Sequence, residues 1–168
     1  MSLRKVVVSL LSAVLLFAAA GSVSAAQTDL RKAVNEVVGT PYKWGGTTVA
    51  GFDCSGFILH IFNQFNVKLP RTSKSQALAG MKVAREDLRP GDLVFFNTDG
   101  RGISHAGIYI GGGEFAHSSS SRGVQISKIS ETYYDKRYVT ARRVISGEDY
   151  TVMVNDEHVS DDSHNEGK

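Results

Sequence analysis

The stretch GFDCSGFILHIFNQF, residues 51–65, contains Cys54, the only cysteine of the 168-residue chain. Apolar residues recur after it at helical spacing and predict a helix that begins at or next to Cys54 and runs to about Asn66. Unpaired backbone N–H groups and the helix dipole favour a thiolate at such a position. A single cysteine cannot form an internal disulfide. Two interpretations therefore stay open: a nucleophile, or a small buried hydrophobic residue.

The N-terminal residues 1–26 have the three parts of a secretory signal peptide. Arg4 and Lys5 precede an apolar run over 6–20, and small residues follow as far as Ala26. The run is shorter than the roughly 20 residues that a membrane-spanning helix needs. We therefore expect cleavage near residue 25 or 26, no stable membrane insertion afterwards, and export to the periplasm or the cell exterior.

Charge divides the remaining chain into two parts. Residues 27–147 carry 16 Lys/Arg against 10 Asp/Glu, whereas residues 148–168 carry seven acidic residues and one lysine. The first part suits one domain with a single core, which we expect to be monomeric. The second has the composition of an acidic, disordered tail. The basic residues form no clustered stripe, so we expect no nucleic-acid partner.

Helical patterns precede strand patterns within residues 27–147. A first helix begins at Thr28 or Asp29, a glycine-rich loop occupies 39–51, and Ser73-x-x-Gln76 is a capping box for a short helix. Five strands are then predicted, at residues 93–96, 103–110, 114–117, 124–127 and 138–144. This order favours an α+β fold in which N-terminal helices pack on an antiparallel sheet of about five to six strands.

Two histidines, His105 and His117, lie in the strand region. Alternation over 103–110 puts Gly107 on the same face as His105, which leaves room for a helix terminus to approach. His117 follows a glycine turn, so pairing of the two strands brings the imidazoles together. His60 points about 240° away from Cys54 on the same helix and is predicted to be a surface or packing residue.

A cysteine nucleophile needs a base within hydrogen-bond reach, and that base needs a third group to fix its tautomer. Cys54, His105 and His117 can supply these three parts. The same three residues could instead bind a zinc ion, with water as the fourth ligand. Each histidine taken alone can instead be structural.

Six short motifs occur in order within residues 30–145. They are Pro41-Tyr42-Lys43-Trp44-Gly45-Gly46, Asp53-Cys54-Ser55-Gly56, Leu69-Pro70-Arg71-Thr72-Ser73, Arg89-Pro90-Gly91-Asp92-Leu93, Ser104-His105-Ala106-Gly107-Ile108-Tyr109 and Phe115-Ala116-His117. Together they resemble the NlpC family of bacterial cell-wall peptidases, which share a papain-like fold. The resemblance implies hydrolysis of peptide bonds in peptidoglycan stem peptides, with no metal or other cofactor.

The resemblance also implies roles for single residues. Cys54 matches the nucleophile, His105 the base, His117 the residue that orients the base, and Tyr42 a tyrosine that helps to polarise the scissile carbonyl. Four more residues match positions used for stem-peptide contacts or local support: Asp53, Ser55, Arg71 and Ser73. Asp53 has a second interpretation as the helix N-cap, and Arg71 as a surface cation. We expect Trp44 to serve packing rather than catalysis.

Other functions fit the same residues. A non-catalytic wall-binding domain would keep the fold, and iodoacetamide would then react slowly with Cys54 near neutral pH. An amidase or acyltransferase would use the same triad on another acyl donor, which product analysis distinguishes. Within stem peptides, both the bond between γ-D-glutamate and the diamino acid and the D,D-crosslink after D-alanine are candidates.

Overall fold

The computed structural model describes residues 29–154. The predicted signal peptide and residues 155–168 of the predicted tail lie outside the described residues. The helices are α1 (Asp29–Asn35), α2 (Cys54–Gln64), α3 (Ser73–Gln76), α4 (Thr132–Asp135) and α5 (Gly147–Val154). The strands are β1 (Thr47–Thr48), β2 (Gly51–Phe52), β3 (Met81–Val83), β4 (Leu93–Phe96), β5 (His105–Gly111), β6 (Glu114–Ser119), β7 (Gly123–Lys128) and β8 (Tyr138–Arg143). Between residues 29 and 154, no helix is long and apolar enough to cross a membrane.

Six strands form one antiparallel sheet in the order β3-β8-β4-β5-β6-β7. Short turns join β5, β6 and β7, which is why these three strands are neighbours in both sequence and space. Strands β1 and β2 form a separate small hairpin just before α2. The predicted α+β fold, with helices on an antiparallel sheet of five to six strands, is confirmed.

Helix α2 covers the centre of the sheet. Its apolar positions Phe57, Ile58, Ile61 and Phe62 are fully buried, in one core with Ala106 and Ile108 of β5. Each such side chain contributes roughly 1.5–3 kcal/mol by leaving water. A second core on the other sheet face contains Phe96, Phe115 and Tyr134. The cysteine at the start of α2 is thus held against β5 by the packing of the whole helix.

Two glycines allow the close approaches that build this region. A Cβ on Gly56 would lie 2.0 Å from the carbonyl oxygen of Gly46, so only glycine lets α2 approach that loop. A Cβ on Gly107 would lie 2.6 Å from the Phe115 ring and 2.7 Å from the Ala116 carbonyl oxygen. The room beside His105 is therefore filled by β6. The body of α2 packs on the opposite face, that of Ala106 and Ile108, and its first residue, Cys54, approaches the strand at the Ala106 backbone N–H.

The predicted capping box does not form at α3. Thr72 is the N-cap, and its Oγ1 accepts from the Ser75 backbone N–H at 3.2 Å. Gln76 is fully buried, and its Nε2 donates to the carbonyl oxygens of Ser55 at 3.2 Å and Pro70 at 2.9 Å. Its side chain ties α3 to the start of α2 instead of closing the end of its own helix.

The acidic segment that follows residue 147 begins as a helix. Met153 of α5 is fully buried in the core on the α2 side of the sheet, and Tyr150 packs against the same core. The prediction of a disordered tail from residue 148 is therefore wrong for residues 148–154, because apolar side chains at helical spacing anchor them.

Candidate active site

Cys54 is the first residue of α2 and is partly buried. The backbone N–H groups of Ala106, Ser55 and Cys54 itself lie close enough to its sulfur to lower the pKa of the thiol. Ala106 directly follows His105 at the start of β5. The packing of α2 on the sheet therefore brings the thiol to the residue next to the predicted base, although the two are far apart in sequence.

Burial raises the pKa of the Cys54 thiol, and the neighbouring Asp53 carboxylate raises it further. The three backbone N–H groups lower the pKa, as expected at a helix start, but by less than burial raises it. The backbone N–H groups at the helix start thus lower the pKa as predicted, but the expected thiolate is wrong for the free protein because burial outweighs them. The thiol stays protonated at neutral pH until a base takes its proton.

Asp53 is the N-cap of α2 and is largely buried. Its Oδ1 accepts from the Gly56 N–H at 2.7 Å and from Arg71 Nη1 at 3.0 Å, and its Oδ2 accepts from the Gly45 N–H at 3.0 Å and from Arg71 Nη2 at 2.5 Å. Burial would raise the pKa of Asp53, but the Arg71 and backbone hydrogen bonds together hold it below its usual value. The carboxylate is therefore ionised and fixed directly before Cys54.

Arg71 is turned toward Asp53 and Ser55. Its Nη1 also donates to Ser55 Oγ at 2.9 Å, and Ser55 Oγ donates to Asp53 Oδ1 at 3.2 Å. The hydrogen bonds to Asp53 raise the pKa of Arg71 above its ordinary value. Three of the four predicted substrate-contact residues thus form one network that supports the start of α2.

Tyr42 lies beside the start of α2 because its backbone forms an isolated bridge with Phe52. Burial raises the pKa of the Tyr42 hydroxyl, and the negative forms of Cys54 and Asp53 raise it further. The hydroxyl therefore stays protonated and near Cys54, as a hydrogen-bond donor requires. Trp44, two residues on, is 86% exposed, so the prediction that it packs in the domain is wrong.

His105 and His117 contact each other directly. His105 Nε2 and His117 Nδ1 are 3.0 Å apart, and the rings are perpendicular. The pairing of β5 with β6 holds them, with Tyr109 opposite Phe115 in register. The prediction that strand pairing unites the two imidazoles is confirmed. Because His105 Nε2 is engaged, its Nδ1 is the ring nitrogen left for another partner.

Polar groups that the sequence analysis did not single out surround the far side of His117. Its Nε2 lies 3.2 Å from Ser127 Oγ, 3.3 Å from the Tyr134 hydroxyl and 3.5 Å from Gln125 Nε2. His117 itself is fully buried and stacks on Phe115 at 4.7 Å. Gln125 and Ser127 alternate with apolar residues in β7, and that period-two pattern was the available signal. Tyr134, on α4, had none.

Burial lowers the pKa of His105 to about 4, and burial with the charge of His105 lowers the pKa of His117 to about 3. Both pKa values lie below the ordinary 6.5. Below pH 6.5 the two imidazoles therefore bind protons in the unfolded chain but stay neutral in the folded protein. The stability from these neutral rings is complete above pH 6.5. It falls as the pH drops toward the folded pKa values, by about 1.4 kcal/mol per pH unit for each ring.

We expect the unfolding free energy of the wild type to fall more steeply between pH 6.5 and 5 than that of His117→Gln, which lacks one of the two rings. The slopes should differ by about 1 kcal/mol per pH unit on average in urea unfolding at each pH. Parallel curves over that range would show that His117 is not kept neutral by burial.

Two hypotheses remain to be compared with the structure, the substrate contact by Ser73 and the zinc site. The side chain of Ser73 makes no hydrogen bond within the described part of the chain, so its role as a substrate contact stays a prediction. Among residues 29–154, no three His, Cys, Asp or Glu side chains are arranged to hold one metal ion. The zinc alternative therefore has no three-ligand site in that part of the protein.

Comparison with known proteins gives consistent matches. Residues 39–143 match the model of the NlpC/P60 family. The chain is 49% identical over 109 residues to an Escherichia coli K12 protein named murein DD-endopeptidase MepS/murein LD-carboxypeptidase, covering 64% of this chain and 57% of that protein. It is 42% identical over 112 residues to a Bacillus subtilis 168 protein named gamma-D-glutamyl-L-lysine dipeptidyl-peptidase, covering 65% and 38%.

The comparison with solved structures gives the same family. The crystal structure of an NlpC/P60 family protein from Bacillus cereus ATCC 10987 matches with a TM-score of 0.67 and 39% identity, covering 70% of this chain and 40% of that one. In these comparisons the match spans from under two fifths to just over half of the relative's length.

Proposed function

The chain belongs to the NlpC/P60 family, and from this premise we propose that it is an exported cysteine endopeptidase that hydrolyses peptide bonds in peptidoglycan stem peptides. Cys54 is the nucleophile, His105 the base and His117 the residue that orients the base. One observation carries the proposal: the Cys54 sulfur lies at the N–H of Ala106, beside His105, whose Nε2 is 3.0 Å from His117 Nδ1.

Because burial keeps both the thiol and the imidazole neutral in the free protein, nucleophile and acid form together. The Cys54 sulfur attacks the carbonyl carbon as its proton passes to His105 Nδ1. The Cys54 backbone N–H and the Tyr42 hydroxyl stabilise the oxyanion. The His105 imidazolium then protonates the leaving amine as the C–N bond breaks. In the second half, His105 deprotonates a water that hydrolyses the thioester and regenerates the thiol.

The proposed proton transfer requires one arrangement of protons on the two imidazoles. For His105 Nδ1 to accept the thiol proton, its Nε2 must carry hydrogen and donate to His117 Nδ1. His117 then carries its proton on Nε2, and the hydroxyl oxygens of Ser127 and Tyr134 can accept a hydrogen bond from this N–H. His117 thereby orients the base and stabilises the imidazolium that forms on attack.

We expect His117→Ala to lower kcat/KM about 100- to 1,000-fold, because the imidazolium of His105 loses its acceptor. His117→Gln should recover at least about tenfold of that loss, since the amide oxygen can accept from Nε2–H. Steady-state kinetics on a stem peptide measures both variants. Equal activities for the alanine and glutamine variants would contradict an orienting role.

Digestion of purified peptidoglycan followed by mass spectrometry of the soluble products tests the proposed function. The names of the two relatives cover both candidate bonds, the D,D-crosslink and the bond after γ-D-glutamate. Product masses distinguish these bonds and also distinguish hydrolysis from transfer to another acceptor. Binding to peptidoglycan without any product would instead support the non-catalytic alternative. N-terminal sequencing of the exported protein tests cleavage of residues 1–26, which an intact Met1 would contradict.

A further inference from the structure

A groove of about 420 Å³ lies between the end of α3, the loop before β5 and strand β8. We call it the basic groove. Three cations, Lys74, Lys82 and Arg142, line it together with three apolar residues, Leu78, Ile103 and Val139. Its volume lies within the range of small-ligand sites.

The walls of the basic groove are attached to the candidate active site. Ile103 stands two residues before His105. On the other side, Ala77 follows Gln76, whose side chain donates to the Ser55 carbonyl oxygen just after Cys54. The floor is Thr140 of β8, which pairs with Phe95 of β4, and Phe95 pairs with Ala106. A chain bound at Cys54 and His105 can therefore continue into the groove.

The charged groups of the groove are not used by the fold. Within residues 29–154, Lys74, Lys82 and Arg142 take part in no ion pair. Arg142 Nε and Thr140 Oγ1 have no hydrogen-bond partner in that part of the chain, although both atoms are shielded from solvent. Buried polar atoms are rarely left without a partner, and such atoms call for an explanation.

Arg71, the cation that the sequence predicts for substrate contact, cannot serve in the same way. Both of its terminal nitrogens donate to Asp53. The groove offers free cations beside Leu78, which is 79% exposed, and Val139, which is 47% exposed. This combination suits a ligand that carries carboxylates next to small apolar groups.

We propose that the basic groove is a substrate-binding site for the free carboxylates of a peptidoglycan stem peptide, an inference that rests on the proposed function above. A γ-linked D-glutamate keeps its α-carboxylate free, and a stem peptide ends in the carboxylate and methyl group of D-alanine. Lys74, Lys82 and Arg142 complement these charges, and Leu78, Ile103 and Val139 complement the methyl groups.

The test compares two synthetic stem tetrapeptides, one with free carboxylates and one with the same carboxylates amidated. For the acidic peptide, Lys74→Gln/Lys82→Gln should raise KM about five- to tenfold with kcat within twofold, because both cations bind ground state and transition state alike. The increase should shrink at 0.5 M salt. The amidated peptide should show no change in KM.

The matched control is Lys128→Gln/Lys136→Gln, which removes two exposed positive charges outside the groove. It should leave KM for both peptides unchanged. Equal losses on the acidic and amidated peptides, or equal losses in the two double variants, would overturn the proposal.

Calorimetric titration of the acidic peptide into Cys54→Ala, with and without the two groove substitutions, separates this proposal from the proposed function. A five- to tenfold loss of affinity supports the groove even if the wild type hydrolyses neither peptide, and unchanged affinity overturns it. A second candidate occupant of the groove is the acidic segment 155–168 of the chain itself. A chain lacking these residues tests it. If the deletion tightens peptide binding only while Lys74 and Lys82 are present, the groove binds the tail, and the substrate assignment is overturned.

Discussion

Replacement of Cys54 by alanine is expected to lower kcat/KM for stem-peptide hydrolysis by at least about 10⁴-fold. The alanine side chain has no sulfur atom to form the thioester. Only substrate positioning and oxyanion stabilisation then remain to accelerate the reaction. The hydrogen bonds of Asp53 to Gly56, Gly45 and Arg71 do not involve the sulfur. The variant should therefore fold normally, and a coupled assay of peptide release measures the loss directly.

The control for this variant is His60→Ala on the same helix. The His60 ring lies 5.0 Å from the Phe52 ring, takes no part in the proposed chemistry and is partly exposed. Its substitution should change kcat/KM less than about threefold. If purified Cys54→Ala still digests peptidoglycan at a rate near that of His60→Ala, the nucleophile assignment is wrong.

Replacement of His105 by alanine is expected to lower kcat/KM by about 10³- to 10⁴-fold. Because burial raises the pKa of the Cys54 thiol, little thiolate exists at neutral pH unless a base removes the proton. The loss should therefore be smaller at high pH, where hydroxide ionises the thiol without help. A pH series of kcat/KM from 6 to 10 for the variant and the wild type measures this change.

The same series separates His105 from its neighbour. His117→Ala keeps the base and should lose less than His105→Ala at every pH. A larger loss in His117→Ala, or a His105→Ala loss that does not depend on pH, would contradict the assignment of His105 as the group that takes the thiol proton.

Much of this arrangement follows from local sequence. The apolar spacing after Cys54 predicts α2, and Asp53 at its start predicts the cap. The alternation around His105 and the short turn before β6 predict the paired imidazoles. The resemblance to the NlpC family is confirmed by the match over residues 39–143. The helix, its cap and the imidazole pair depend on neighbours within about a dozen positions, where spacing alone is informative.

Features set by distant contacts did not follow from the sequence. The pKa of Cys54 depends on desolvation by the sheet, which outweighs the helix terminus that the sequence makes visible. Arg71 could be interpreted from the sequence as a substrate contact or as a surface cation, and only the fold shows that it binds Asp53. Tyr134 reaches His117 only because α4 packs on the sheet face opposite α2. The acidic composition around α5 obscured the apolar spacing that anchors Met153.

The two halves of the candidate active site come from different parts of the chain. Asp53, Ser55, Arg71 and Gln76 connect within one continuous stretch of 53–76, and the imidazole pair connects within one hairpin. Each closes a short loop, which has a small entropic penalty and forms readily during folding. The two halves meet only when α2 docks on β5. Under the proposed function, a partly folded chain therefore lacks the assembled site, and hydrolysis of stem peptides has to wait until the fold is complete.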